Sequence, residues 1–371
     1  MAPRTPPPPP STPPSSTSPP STPPPDGVPP LWSPGDALPS LEELLEGAVV
    51  VAQPMHTRFR GTTVREAMLL RGPQGWAEFS PFPEYGPEES SRWLAAAIEA
   101  GWLGWPAPVR EAIPVNATVP AVPVADVRRV LDSFGPVPAV KVKVAEAGQH
   151  LDEDLARVAE VRRLRPDAAV RIDANQGWDH ATAMDALSRL SDVGLEYAEQ
   201  PVAGIEGLAR LREALHRAGV PLKLAADESV RKETDPLAVA RAGAADLVVI
   251  KVQPLGGVRR ARAIVEATGL DAVVSSALET SVGIAGGVAL AAALSRLPHA
   301  CGLGTVALFA EDVVDPPWIP DAGHLVSQDR PVPAGAAVAR LRAPEDRQVW
   351  WRERLAAAYQ ALAEPNFGPS T

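Results

Sequence analysis

The sequence predicts an α/β protein: a parallel (β/α)8-type barrel carrying an α+β capping domain built from the N-terminal and C-terminal flanks. Three observations carry this prediction. Short β-branched or apolar runs recur through the middle of the chain, helix-like segments separate them, and the spacing is nearly constant. With Ala117, Lys143, Asp173, Glu199, Asp227, Lys251, Ser276 and Leu303 as markers, the steps are 26, 30, 26, 28, 24, 25 and 27 residues. That period accommodates one strand and one crossover helix. An open doubly wound sheet is expected to use fewer strands and to place a Gly-rich turn after its first. GGV at 256–258 is a lone glycine pair after the sixth run.

Taken in order, residues 1–35 form a Pro-rich tail. Of the first 30 residues 15 are proline, and most others are Ser or Thr. Such a stretch buries too little apolar surface to offset its ordering entropy, so it reads as a disordered, dispensable extension. It lacks the apolar core of a secretory signal. Residues 36–114 read as the first part of the cap, with a strand-like Glu46–Gln53, an Arg58–Leu70 stretch, WAEFSPF at 76–82 and an amphipathic helix near Glu88–Ala100. The barrel spans 115–325. Its runs are Val115–Val119, AVKVKV at 139–144, AVRIDA at 169–174, LEYAEQ at 195–200, LKLAAD at 222–227, DLVVIK at 246–251, AVVSS at 272–276 and ACGLG at 300–304.

Helices fit between the runs. Leu151–Leu164 puts Leu151, Leu155, Val158 and Val161 on one stripe and stops before Pro166. Ala181–Leu190 and Gly207–Ala218 behave similarly. Residues 326–371 return to the cap, with a helix over Pro344–Glu364 anchored by Trp350, Leu355 and Tyr359.

Charge and composition narrow the function. Lys and Arg total 35 and Asp and Glu 45, a net charge of −10. This argues against nucleic acid or an anionic membrane as partner. The single Cys301 excludes an internal disulfide and argues against a thiolate zinc site. No run of about 18 apolar residues occurs, so no transmembrane helix is expected. The expectation is a cytoplasmic protein. His56, His299 and His324 are isolated and read as structural or surface residues. Cys301 reads as a small buried residue, Met55–Phe59 as cap core, and Trp102, Trp105, Trp350 and Trp351 as cap packing.

The barrel runs break one rule. Strands of parallel barrels are normally Val, Ile and Leu, yet ionisable residues end five consecutive runs: Lys141 and Lys143, Asp173, Glu199, Asp227 and Lys251. Carboxyl ends of barrel strands form the active-site face. Alternation points Lys141 and Lys143 to the same side, inward. Three acids on adjacent strand ends would repel one another unless a cation is present. All-oxygen ligation suits a hard divalent ion, Mg²⁺ or Mn²⁺. A single acid ending a strand is commonly a helix cap or surface charge, but five such residues at one period and one strand end are not accidental. Two lysines facing each other across a metal fit proton abstraction beside a carboxylate, with neighbouring positive charge lowering the pKa of the base. The implied partner is a small-molecule carboxylate substrate.

K-V-K at 141–143, D-A-N at 173–175, E-Q-P at 199–201, A-D-E-S at 226–229 and the strand-ending Lys251 resemble the enolase superfamily, muconate-lactonizing subgroup. Within it, R-F-R-G at 58–61, G-W-A-E-F-S-P-F-P-E-Y at 75–85, S-S-A-L-E-T-S-V-G at 275–283 and G-L-G-T at 302–305 resemble the menaquinone-pathway dehydratases of actinobacteria. The resemblance covers about residues 45–345. It implies that Asp173, Glu199 and Asp227 bind Mg²⁺. Lys143 would take the proton α to the ring carboxylate of 2-succinyl-6-hydroxy-2,4-cyclohexadiene-1-carboxylate. Lys251, on the other face, would stabilise the enediolate, and loss of the 6-hydroxyl as water would give an aromatic acid. Lys141 would orient Lys143 and depress its pKa. Asn175 and Glu228 would be supporting polar groups near the substrate. Ser275, Ser276, Gly302 and Gly304 would hold the succinyl carboxylate, with Arg58 or Arg60 assisting from the cap.

Two other readings stay open. The same lysines could remove and return a proton on opposite faces, racemising an N-succinylamino acid. G-L-G-T lacks the D-x-D of dipeptide epimerases, which argues against a dipeptide. The remote reading is a non-catalytic, partner-binding barrel, although none of the charged strand ends is lost.

Overall fold

The computed structural model describes residues 30–31, 38–59, 62–230, 235–327 and 330–363. The N-terminal part is an antiparallel sheet of β1 (Val49–Phe59), β2 (Thr62–Gly72) and β3 (Gly75–Phe79), in that spatial order. Strict alternation on β1 and β2 gives the sheet two apolar faces. Val50, Met68 and Leu70 join one cluster, whereas Val49, Val51, Ala67 and Leu69 join another with Val282, Val313 and Leu341. Two helices cover the first face. Pro87–Ile98 starts with proline and has Glu88 and Glu89 in its first turn, where a helix N-terminus favours both. It runs on into a π-turn, Glu99–Leu103.

The second covering helix, Glu345–Ala363, comes from the far end of the chain. Its Trp351 is fully buried. The indole meets Phe79 edge-on at 5.9 Å and donates from Nε1 to Glu66 at 2.8 Å. Leu31 packs against this same cluster.

The rest of the chain lays seven parallel strands in sequential order, each beside the next. They follow β4 (Ala112–Pro114) and are β5 (Asn116–Val119), β6 (Ala139–Lys143), β7 (Ala169–Asp173), β8 (Leu195–Glu199), β9 (Leu224–Ala226), β10 (Leu247–Ile250) and β11 (Asp271–Val274). Helices separate them, including Leu151–Leu164, which has the predicted bounds and ends two residues before Pro166. The sheet closes on itself through residues 301 and 302, with parallel bridges from Val115 to Cys301 and from Ser275 to Gly302.

The expected eighth strand over 300–304 is thus only a pair of bridges. Gly302 and Gly304 offer no side chain to pack, and from Thr305 the chain turns into a 3₁₀ segment, Thr305–Leu308. The sequence also gave no sign of the ribbon in which β12 (His324–Val326) pairs antiparallel with β4.

Inward alternation fills the barrel. Tyr197, Ala225, Leu247, Val249 and Val273 form its apolar interior. Beside them Arg171 is fully buried. It donates to Glu196 at 2.5 Å and to Ala300 O at 2.7 Å, and lies over the Tyr197 ring. His299 is not isolated, because its Nδ1 is 2.6 Å from Glu196. Burial pushes the Cys301 thiol up to about 12.

Trp351 links the two ends of the chain through one core, so its truncation tests the cap directly. Trp351→Ala should cost about 3–5 kcal/mol, the range for removing a large buried aromatic. Urea unfolding of the two proteins measures it.

Candidate active site

Strand register decides which side chains meet. Lys143 lies opposite Asp173, and Asp173 opposite Glu199. Glu199 pairs with Ala225, two residues before Asp227. Lys251 directly follows β10. The five ionisable strand ends therefore share one mouth of the barrel, in the order amine, acid, acid, acid, amine. Lys141 lies one inward step below Lys143.

The amines and acids interlock. Lys143 Nζ donates to Asp173 Oδ2 at 2.5 Å and to Asn175 Oδ1 at 2.7 Å. Lys141 Nζ sits 3.1 Å from the same Asp173 oxygen and donates to Glu199 Oε1 at 3.0 Å. Lys251 Nζ donates to Asp227 Oδ1. Among the described residues, no three His, Cys, Asp or Glu side chains form a ready cation cage. Each of these acids is turned toward an amine instead.

The electrostatics follow from burial. Asp173, Glu199 and Asp227 are all buried, and unpaired carboxylates there would be very costly. Burial works to raise Asp173, but the Lys143 and Lys141 ammoniums outweigh it and hold it far below the usual carboxylate range. Burial, then the Asp173 charge, pushes Glu199 upward. Burial works to lower Lys141, but Glu199 and Asp173 outweigh it and the net shift is upward.

Neighbouring loops hold these groups. Asn175 takes a positive φ of 43°, which Asn tolerates better than most residues. Its amide N–H donates to Asp173 Oδ1 at 3.1 Å and its Nδ2 to Glu228 at 2.9 Å. Gly177 is obligatory, because a Cβ there would lie 2.6 Å from Ala145 O. Arg157 donates to Lys143 O at 2.9 Å, and Asp154 accepts from Ala145 N at 2.8 Å. Gln200, unassigned in the sequence, accepts from the backbone of Asp227 at 3.0 Å and of Ser229 at 3.1 Å. A polar residue between the strand-ending Glu199 and Pro201 was its only signal.

A small cavity opens over this cluster. Ser275, Ser276 and Gly302 line it with Lys141, Lys143, Asp173, Asp227 and Lys251. Thr118 and Thr305 line it too, and neither was anticipated. Thr305 Oγ1 lies 2.8 Å from Ser276 Oγ. Gly304 is not among the lining residues. A Cβ there would face Asn116 O, Val115 and Phe134 instead, although Thr305 beside it lines the cavity. Gly302 is tight: a Cβ there would meet Ser275 Oγ at 2.6 Å.

Asp227, Lys251 and Ala277 also border a second, larger space, lined by Phe82, Tyr85 and Trp93 of the cap and by Glu228. Arg58 lies on β1, whereas Arg60 falls outside the described residues.

Residues 124–331 match the Enolase C-terminal domain-like family and residues 50–101 the Enolase N-terminal domain-like family. The o-succinylbenzoate synthase of Thermobifida fusca is 54% identical over 311 residues, which is 84% of this chain and 95% of that protein. The o-succinylbenzoate synthase of Mycolicibacterium smegmatis is 49% identical over 88% of this chain and 99% of its own length. The chain belongs to the o-succinylbenzoate synthase family of the enolase superfamily. It is an enzyme, a lyase.

Two solved structures share the fold with this family member. Muconate lactonizing enzyme from Pseudomonas fluorescens has a TM-score of 0.66 at 23% identity, covering 80% of this chain and 98% of that one. The 2-chloromuconate cycloisomerase from Rhodococcus opacus has a TM-score of 0.65 at 24% identity with the same coverage. No described helix is long and apolar enough to cross a membrane.

Beside the mouth, burial and then the Glu78 charge push Glu279 up to about 7. A carboxyl raised in the fold binds its proton more tightly there than in the unfolded chain. Its stabilising contribution is complete below its ordinary pKa and is lost as pH rises through about 7. Glu279→Gln removes this titration. Between about pH 5 and about pH 8 the wild-type unfolding free energy should therefore fall relative to the variant's in paired urea titrations.

Proposed function

We propose that this enzyme dehydrates 2-succinyl-6-hydroxy-2,4-cyclohexadiene-1-carboxylate to o-succinylbenzoate in menaquinone biosynthesis, as a cytoplasmic enzyme. The observation that carries the reading is the opposition of Lys143 and Lys251 across three strand-end acids. Lys143 ends β6 and Lys251 directly follows β10, four strands apart in a barrel closed by eight staves.

Asp173, Glu199 and Asp227 would hold the metal, Mg²⁺ with Mn²⁺ as the alternative. The donor set fits: it is all oxygen, from adjacent strand ends. Burial and then the Asp173 charge raise Glu199, and a cation beside it would favour its ionised form. When bound, the cation supplies positive charge beside the substrate carboxylate, which lowers the cost of charge developing there.

The chain's own groups do the rest. Lys143, neutral at the start of the step, takes the proton from the carbon α to the ring carboxylate. Its partners Asp173 and Asn175 fix where Nζ points, and Lys141 on the same Asp173 oxygen adds the positive neighbour that favours a neutral base. The electron pair moves toward the carboxylate, giving an enediolate. Lys251 faces it from the other side as an ammonium. The C6–O bond then breaks, the hydroxyl leaves as water with the proton that Lys143 took, which returns Lys143 to its neutral form, and the ring becomes aromatic. Ser275, Ser276, Gly302, Thr118 and Thr305 offer polar contacts to the succinyl arm, while Glu228 holds Asn175.

The opposed amines also suit racemisation of an N-succinylamino acid, one lysine removing the proton and the other returning it. Assaying the purified enzyme separately with the cyclohexadiene acid and with N-succinylamino acids decides between the two. Aromatic product absorbance is expected with the first, and its absence sinks the synthase reading. Lys143→Ala should remain folded and lose about 10³-fold or more in turnover. Asp227→Asn should weaken divalent-cation binding by titration calorimetry, and chelation should abolish activity that added Mg²⁺ restores.

A further inference from the structure

Several buried cations lie outside the lysine cluster, and one of them sits beside the wall of the site. Arg65, on β2 of the cap, is 3% exposed, yet among the described residues its hydrogen bonds all end on backbone carbonyls. Nε donates to Leu278 O at 3.2 Å, Nη1 to Glu66 O at 3.3 Å, and Nη2 to Ser80 O and, at 3.5 Å, to Ala277 O. Its guanidinium carbon lies 4.4 Å from the centre of the Phe82 ring. Burying a guanidinium is costly. The acids nearest in charge are engaged elsewhere. Glu78 accepts from Thr280 N at 3.0 Å and Gly283 N at 3.1 Å, and Glu279 accepts from Ala277 N at 2.6 Å.

The carbonyls that Arg65 holds belong to the walls of the site. Ala277 and Leu278 line the cavity over the lysines. Ala277 and Phe82 line the larger space under the cap. Ala277, with Asp227 and Lys251, borders both spaces; its amide donates to Glu279 at 2.6 Å and its carbonyl lies 3.5 Å from Arg65 Nη2. The next residue, Leu278, has a φ of 61°. That conformation is unfavourable for leucine and persists only when its surroundings hold it.

We infer that Arg65 is a positioning residue. Through Ala277, Leu278 and Phe82 it sets the wall that receives the non-reacting arm of the substrate. The inference rests on the reaction proposed above. Arg65 bonds to none of the lysines or strand-end acids, so its loss leaves the proton-abstracting groups in place and loosens the wall.

Arg65→Met keeps much of the volume and removes every donor. It should raise KM about tenfold or more while kcat stays within about threefold, with Arg65→Lys between it and wild type. Calorimetry with o-succinylbenzoate and with benzoate separates this role from a purely structural one. The Met variant should weaken binding of the first about tenfold and leave the second unchanged. Unchanged KM and unchanged o-succinylbenzoate affinity, whatever happens to the melting temperature, overturn the inference. Should Arg65→Met fail to fold, the Lys variant carries the same test. A wild-type protein that forms no aromatic product defeats the proposed reaction instead, and the two-ligand comparison still tests the wall.

Discussion

Everything at the barrel mouth depends on pairing buried charge with buried charge. Three lysines and three acids crowd one largely buried mouth, where burying either set alone would be very costly. Parallel pairing gives the alternation of partners: adjacent strands end in register, so an acid on one lies within reach of an amine on the next. The arrangement is closely balanced. Adding a dication and a carboxylate substrate would exchange partners within the cluster without leaving a charge stranded.

That balance explains why the loops around the cluster are so constrained. Asn175 adopts a positive φ, Gly177 accepts close contact from Ala145 O, and Gln200 bonds the turn after Glu199 to the turn after β9. Each fixes a backbone that carries one of the charged side chains. A lysine whose amine drifts out of place is simply a buried charge without a partner, so stability and geometry point the same way. The cap extends this logic with Arg65 and Glu78, two buried charged residues that bind backbone groups of the loop and helix following β11.

Much of this was legible in the sequence because it is periodic. Ionisable residues recurring about every 26 residues at the ends of apolar runs can hardly arise except from a closed ring of parallel strands. The helix Leu151–Leu164 announced itself by stripe and by Pro166, and the flanking segments were recognisable as extra to the barrel. What escaped notice lacked periodicity. The eighth stave shrinks to Cys301 and Gly302, because glycines there replace strand packing with a turn. The β4–β12 ribbon joins residues some 200 positions apart through three-residue strands. Gly302 lines the cavity while Gly304, two residues on, does not. Thr118 and Arg65 look like ordinary strand residues until the tertiary fold shows what they face.

The most direct test of the central claim is a crystal structure of the enzyme soaked with Mg²⁺ and o-succinylbenzoate. The account requires one dication touching Asp173, Glu199 and Asp227, with the Lys143 and Lys251 amines on opposite faces of the ring. Ligand bound elsewhere, or both amines still paired with those carboxylates and no metal between them, would contradict it.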